Sequence, residues 1–304
     1  MTGRSVVSLR AAVAGLLVLG ATRLSAQREQ LSLRIEQFGG ARAPVDFAQP
    51  PRDLDMRLWQ LTATAGVRNM LDADGNTVLT NGVFYRRSVL DARLLGRSIG
   101  TETLHALYYD FLALRTLDDR HTLAVAVRPG LFGNLERDLG DQFRAEGAAF
   151  IDRVVSPRTT LGLGMSYTSN LGRVLPIPVL HIVHRRGRSM LIDGLLPSRL
   201  DVWWFPRKGL EVGLNAQLSG FQYHVADAPA PSPVPGTLTF VAPTRQLANA
   251  VVGPQVRWNA TGKWYLSLDA GVTVLRRLSY EDGTENALTP RNTGLVRLGL
   301  QRMY

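Results

Sequence analysis

The side chains that could do acid–base, nucleophilic or metal chemistry here are few. The histidines are His105, His121, His181, His184 and His224. His181 and His184 are three residues apart. On a strand, where successive side chains alternate between faces, that pair points to opposite sides and cannot close on one metal ion. Asp72-Ala-Asp-Gly-Asn76 carries two carboxylates and a glycine, as a calcium loop does, but lacks the further spaced ligands and the bidentate Glu. It reads instead as a tight turn. Ser166 or Ser219 could be set beside His121 or His224 as a nucleophile and its base, but no Gly-x-Ser-x-Gly turn is present to support the pairing. There is no Cys, so thiol chemistry and disulfides are excluded. The residues therefore nominate no catalytic group, no cofactor site and no metal ligand.

What they do nominate is a charged face. Arg34, Arg86, Arg128, Arg144, Arg257 and Arg297, with Glu36, Glu146, Asp152, Asp201, Glu211 and Asp269, lie in segments that alternate between polar and apolar residues. In Leu210–Ser219 the apolar set is Leu210, Val212, Leu214, Ala216 and Leu218, and the set opposing it is Glu211, Gly213, Asn215, Gln217 and Ser219. In Trp264–Val274, Trp264, Leu266, Leu268, Ala270, Val272 and Val274 oppose Ser267, Asp269, Gly271 and Thr273. These runs exceed the mean soluble strand of about 5–6 residues and match the roughly 9–11 residues of a membrane-barrel strand. The last strand alternates likewise: Val296, Leu298, Leu300 and Tyr304 oppose Arg297, Gly299 and Gln301. Strands that are polar inside, apolar outside and closed by an aromatic suit a sheet whose outer face meets lipid and whose lumen meets water. Arg86 and Arg87 are adjacent and must point oppositely; so must His105 and Arg115 relative to Asp110.

The N-terminus agrees. Arg4 and Arg10 precede the short apolar run Ala11–Gly20, and Leu24-Ser25-Ala26 forms a cleavage site before Gln27. This is the pattern of a secretory signal peptide over residues 1–26, too short to span a membrane as a helix. The chain of 304 residues has a formal net charge of +10. Three arginines fall in the signal segment, so the mature chain keeps +7. The basic residues are dispersed, with no basic run or recognition-helix pattern, so nucleic acid is not an expected partner. Anionic lipopolysaccharide or anionic solutes fit the balance better. No apolar run beyond the signal approaches the roughly 18–20 residues of a spanning helix, and residues 27–304 read as one all-β domain.

Tight turns at Asp72–Asn76, Asp118–Arg120, Pro157-Arg158, Pro206–Gly209 and Asn259–Lys263 alternate with longer connections at 39–53, 133–141, 226–236 and 281–290. The Pro-rich stretch Ala226–Gly236 reads as an extended loop unable to join a ladder. Trp203, Trp204, Phe205, Trp258, Trp264 and Tyr304 cluster near the short-turn ends, where an interfacial aromatic girdle belongs. The strand segments number thirteen, and single-chain bacterial barrels have even numbers. Twelve follows if residues 28–38 lie outside the barrel, fourteen if 189–205 breaks at Leu196-Pro-Ser198; twelve is the expectation adopted.

Together these residues resemble outer-membrane β-barrel proteins of diderm bacteria, of an uncharacterised barrel family. The terminal insertion signal of such proteins is matched by Arg297, Gly299 and Tyr304, with Arg302 replacing its first aromatic. The resemblance implies an antiparallel transmembrane barrel in the outer membrane, in contact with lipid and lipopolysaccharide and inserted by the assembly machinery through its last strand. It implies no catalytic residues, cofactor or substrate. The favoured role is a passive channel or transporter for small solutes. The alternatives are a structural or surface-interaction barrel with a closed, charge-paired lumen, and a lipid-modifying barrel enzyme.

Overall fold

In the computed structural model, the residues described are 28–45, 52–72, 75–94, 97–136, 139–169, 173–225, 229–231, 239–241, 244–281 and 285–302. Residues 1–26, expected to be a signal peptide, and Tyr304 lie outside them. The strands are β1 (Arg28–Val45), β2 (Arg52–Met70), β3 (Thr77–Leu94), β4 (Arg97–Thr116), β5 (His121–Gly133), β6 (Phe143–Ser156), β7 (Thr159–Thr168), β8 (Leu175–Arg186), β9 (Met190–Leu196), β10 (Arg199–Arg207), β11 (Leu210–His224), β12 (Pro229–Pro231), β13 (Thr239–Val241), β14 (Thr244–Asn259), β15 (Trp264–Glu281), β16 (Glu285–Leu288) and β17 (Gly294–Arg302). One helical turn, Leu139–Gln142, precedes β6.

Each strand from β1 to β11 pairs with the next; β11 pairs with β14, β14 with β15, β15 with β17, and β17 returns to β1. The sheet closes on itself as a barrel of fourteen antiparallel strands. This corrects the expected twelve in two places. β1 is part of the wall, in register with β17 from Leu31↔Arg302 to Phe38↔Leu295. The segment 189–205 is two strands, β9 and β10, joined by a turn at Pro197-Ser198. Length obscured this division, because β9 has only 7 residues. The connection expected over 39–53 is also shorter, since β1 runs to Val45. Pro229–Pro231 pairs with Thr239–Val241 in a small ribbon, contrary to the loop reading. An isolated edge position dispenses with the N–H that proline lacks.

The two faces separate as the alternation requires. Leu33, Ile35, Leu163, Leu214, Leu268, Val272, Val296 and Leu298 point outward and are solvent-exposed. A contiguous apolar exterior of this kind is unfavourable against water and favourable against lipid. Along the outside of the sheet, cross-strand pairs such as Ile35↔Leu298 and Leu268↔Leu298 continue the belt from strand to strand. Trp204 and Trp258 lie in the outward set. Trp203 does not belong to the expected girdle: it is buried in the lumen, with the Arg257 guanidinium 4.5 Å from its ring centre.

The wall is uneven. β2, β3 and β4 have 19, 18 and 20 residues, whereas β7, β9 and β10 have 10, 7 and 9. The start of β1, the end of β17 and the short turns share one end of the barrel. At the other end β11 outruns β10, crosses the interior and meets β5 through a parallel pairing of His224 with Gly133. Gly133 is required there, because a Cβ would collide with Gln142 Oε1 and the His224 carbonyl.

Candidate functional site in the barrel lumen

The lumen is built from every second residue of the wall. One hydrogen-bonded row of inward positions runs Ser88, Gln60, Glu36, Arg297, Asp269, Gln255, Gly213 and Trp203 across seven strand pairings. Arg297 is its centre. Its guanidinium lies 3.1 Å from Glu36 and 3.3 Å from Asp269, and it also donates to Gln217 Oε1 of β11. Arg297 and Glu36 are almost wholly buried, so their charges must be paired. Further round the wall, Asp201 accepts from Asn215 and Gln255 and pairs with Arg199. Arg257 pairs with Glu211 at 3.0 Å, Arg245 with Glu102 at 2.9 Å, and Arg128 with Asp110 at 2.8 Å.

Above this row the lumen holds an apolar cluster beside further buried polar side chains such as Arg245, Asn249 and Arg276. Leu104, Ala106, Phe132, Phe221, Tyr223 and Val225 form a buried cluster. The rings of Phe84, Tyr108, Phe132, Phe221 and Tyr223 contact one another in sequence, from 4.3 Å between centroids at Phe84–Tyr108 to 6.5 Å at Phe132–Phe221. Phe221 and Tyr223 come from β11 and the other three from β3, β4 and β5, so the ladder crosses the barrel. Tyr223 and Ser88 hydroxyls meet at 3.4 Å, and the Arg86 guanidinium stacks 4.2 Å from the Phe221 ring centre. This partition went unrecognised in the sequence. Alternation assigns Phe221 and Tyr223 to the inner face, but nothing in their spacing brings that face across to the opposite wall.

On the short-turn side of the partition the lumen holds a chamber of about 380 Å³. Its inward side chains include Ser32, Arg34, Thr64, Thr80, Phe84, Asp110, Leu112, Ser267 and Gln301. Space is made by three inward glycines, Gly66, Gly82 and Gly299. Gly66 and Gly82 are cross-strand partners, so two neighbouring positions lack a side chain.

The sequence-nominated groups scatter. His181 faces inward and bonds Asp152 at 2.8 Å, while His184, on the other face, bonds Thr159 Oγ1. His105 is outside, hydrogen-bonded to Tyr85. His121 belongs to the Asp118 turn, at the opposite end from His224. Ser166 and Ser219 stand on the inner faces of β7 and β11, and no hydrogen bond joins either to a histidine among the described residues. Asp72 Oδ1 accepts the Thr77 N–H at 2.9 Å, as a turn residue does. Among the described residues no three His, Asp or Glu side chains gather as metal ligands. The charged face is brought together as expected; Arg86 points in and Arg87 out.

A closed antiparallel sheet with an apolar belt outside and ion pairs within defines a barrel of the membrane-spanning class. No protein-family model matches the chain, and no curated protein matches it in sequence. Among solved structures it is similar to an outer membrane channel from Pseudomonas putida F1, at 11% identity and a TM-score of 0.45 over 93% of this chain and 97% of that one. It is also similar to the P. putida toluene transporter TodX, at 8% identity and a TM-score of 0.40 over 93% and 91%. A third is the translocator domain of the autotransporter NalP from Neisseria meningitidis, at 10% identity and a TM-score of 0.37 over 98% and 96%. The architecture stated here rests on the strand register and the two-faced wall.

Proposed function

We propose that the chain is an outer-membrane β-barrel that passes small polar solutes along its lumen, with the passage closed by β11 in the state described. The observation that carries this reading is the polar chamber inside a fourteen-stranded wall. Small barrels of about eight strands fill their interiors with side chains, whereas this one keeps solvent-sized space on one side of a partition held largely by one strand. The apolar belt supports a membrane site. A cleaved segment over 1–26 would deliver the chain to the periplasm, where the outer membrane is the bilayer that receives barrels. Lipid and lipopolysaccharide contact the belt in this reading, and the assembly machinery engages the last strand. No catalytic step is included.

Conductance of the purified full-length protein in planar bilayers tests the passage. Wild-type protein is expected to open rarely, and Phe221→Ala with Tyr223→Ala to open often, because the partition loses its largest side chains. Electrically silent barrels in both cases overturn it. The second reading, a barrel closed for structure alone, is favoured by the buried Arg297–Glu36–Asp269 network and predicts that silence. Recovery in the outer-membrane fraction, with heat-modifiable gel mobility, tests the location.

A further inference from the structure

We infer that the chamber below the partition is a binding site for a small hydroxylated anion, a carboxylate or phosphate ester, held by Arg34. This names the solute class for the passage proposed above and rests on that reading only for its biological use; binding itself stands on the chamber's chemistry.

The argument begins with charge. Five charged residues lie together on β1, β3, β15 and β17: Arg34, Arg86 and Arg297 against Glu36 and Asp269. Both carboxylates converge on Arg297. Arg86 is buried, gives its Nε to Thr62 and lies against the Phe221 ring. Its Nη1 has no hydrogen-bond partner among the described residues. Arg34 makes no ion pair or hydrogen bond with any described residue, yet its side chain is exposed inside the lumen and lines the chamber. Among the described residues the one acidic side chain on the chamber wall, Asp110, is bound to Arg128 at 2.8 Å. Three guanidiniums against two carboxylates leave this group a net charge of +1, and Arg34 is the cation that faces the chamber. A guanidinium without an ion-pair partner, facing a confined polar chamber, favours a bound anion through charge-assisted hydrogen bonds.

The remaining wall supplies hydroxyls and an amide rather than further charge. Ser32, Thr64, Thr80, Ser267 and Gln301 all face inward around Arg34. Such groups both donate and accept, which suits a solute bearing its own hydroxyls. The volume, about 380 Å³, sits at the lower end of the roughly 300–1,000 Å³ of small-molecule sites. A lipid tail has no apolar groove here, since among the described residues Phe84 and Leu112 are the only inward apolar side chains on the wall.

Isothermal titration of the folded full-length barrel in detergent tests this, with inorganic phosphate and gluconate as anions and choline and glucose as controls. Saturable binding of an anion, no binding of choline or glucose, and weakening of about tenfold or more in Arg34→Gln would support the site. Arg34→Lys should stay within a few-fold of wild type, and heat-modifiable mobility shows that each variant is folded. No saturable binding of either anion to wild type, or equal binding by Arg34→Gln, overturns the inference. A barrel that binds anions but never conducts removes the passage and keeps the site; one that conducts without binding does the reverse.

Discussion

Arg297 and Glu36 are cross-strand partners on β17 and β1, an ion pair with Arg297 Nε 3.1 Å from Glu36 Oε1 and a hydrogen bond from Nη2 to Oε2 at 3.3 Å. The pair sits where the last strand meets the first, so it locks the seam that closes the barrel. Arg297→Met leaves the buried Glu36 carboxylate and the half-buried Asp269 without their shared partner and should cost about 3 kcal/mol. Glu36→Gln should cost less, because Asp269 still neutralises Arg297 and the amide still offers an oxygen. Urea titration of the detergent-folded barrel measures both. An Arg297→Met variant no less stable than Glu36→Gln would contradict the shared-partner geometry.

Gly133 permits the meeting of β5 and β11, since a Cβ there would run into Gln142 Oε1 and the His224 carbonyl. Gly133→Val should push the two strands apart at a cost of about 1–3 kcal/mol and loosen the aromatic partition. The expected reading is more frequent channel opening in planar bilayers than for wild type. Unchanged gating in a correctly folded variant would show that the β5 contact does not hold the partition.

Leu298 points outward and is 56% exposed, while its sequence neighbour Arg297 is buried in the lumen. Leu298→Arg places a charge in lipid and should cost about 2–4 kcal/mol. Gln301→Arg, on the inner face of the same strand, should cost under about 1 kcal/mol. Folding yields into vesicles compare the two, and equal losses would argue against the assignment of faces.

The Asp118 carboxylate accepts the Arg120 and His121 N–H groups at 2.8 and 2.9 Å in a turn outside the membrane-spanning part of the wall. The Arg120 N–H, followed by the His121 side chain, holds its pKa below the usual carboxylate range. A lowered carboxylate pKa means that the folded turn binds fewer protons than the unfolded chain. Its contribution is therefore present above about pH 4 and lost as pH falls through the folded value. Amide exchange at Arg120 and His121, referenced to Asp118→Asn, should show protection that disappears on acidification. Protection independent of pH would remove the carboxylate from the account.

Arg302 stands where an aromatic would complete the terminal signal, and its guanidinium lies 5.6 Å from the Trp264 ring centre. That contact gives the arginine a role of its own as a cation–π partner. Arg302→Phe substitutes ring stacking for it, so assembly measured as heat-modifiable protein should be retained or improved. Impaired assembly would mean that the charge is needed.

Much of the wall was legible. In β11 and β15 strict alternation separates the faces residue by residue, because the pleat leaves a side chain no third direction. Arg86 and Arg87 follow from adjacency alone. The strand count was not legible at β9, where 7 residues carry too few alternations to define a strand, and Leu196-Pro-Ser198 reads equally as an irregularity within one. Trp203 was drawn to the interface by its neighbours Trp204 and Phe205, although parity with Asp201 places it inside. The chamber depends on Gly66 and Gly82 facing each other across β2 and β3, a register that residue types do not reveal. Arg34 was visible as a lumen cation, but its lack of a partner emerges only when Arg297 is seen to take both carboxylates.

The pairing of Gly133 with His224 also bears on how the chain avoids sticking to copies of itself. β10 ends its ladder with β11 at Gln217, so the stretch from Leu218 to His224 would otherwise present bare backbone on one side. An exposed strand edge is a template for a second chain. Here Leu218 N–H finds the Ser198 carbonyl, the Gln222 carbonyl takes a bond from Arg144, and His224 is joined to β5. A sheet of unequal strands thus hides the edge that its own unevenness creates, and the same fold-over that narrows the lumen protects the barrel from edge-to-edge aggregation.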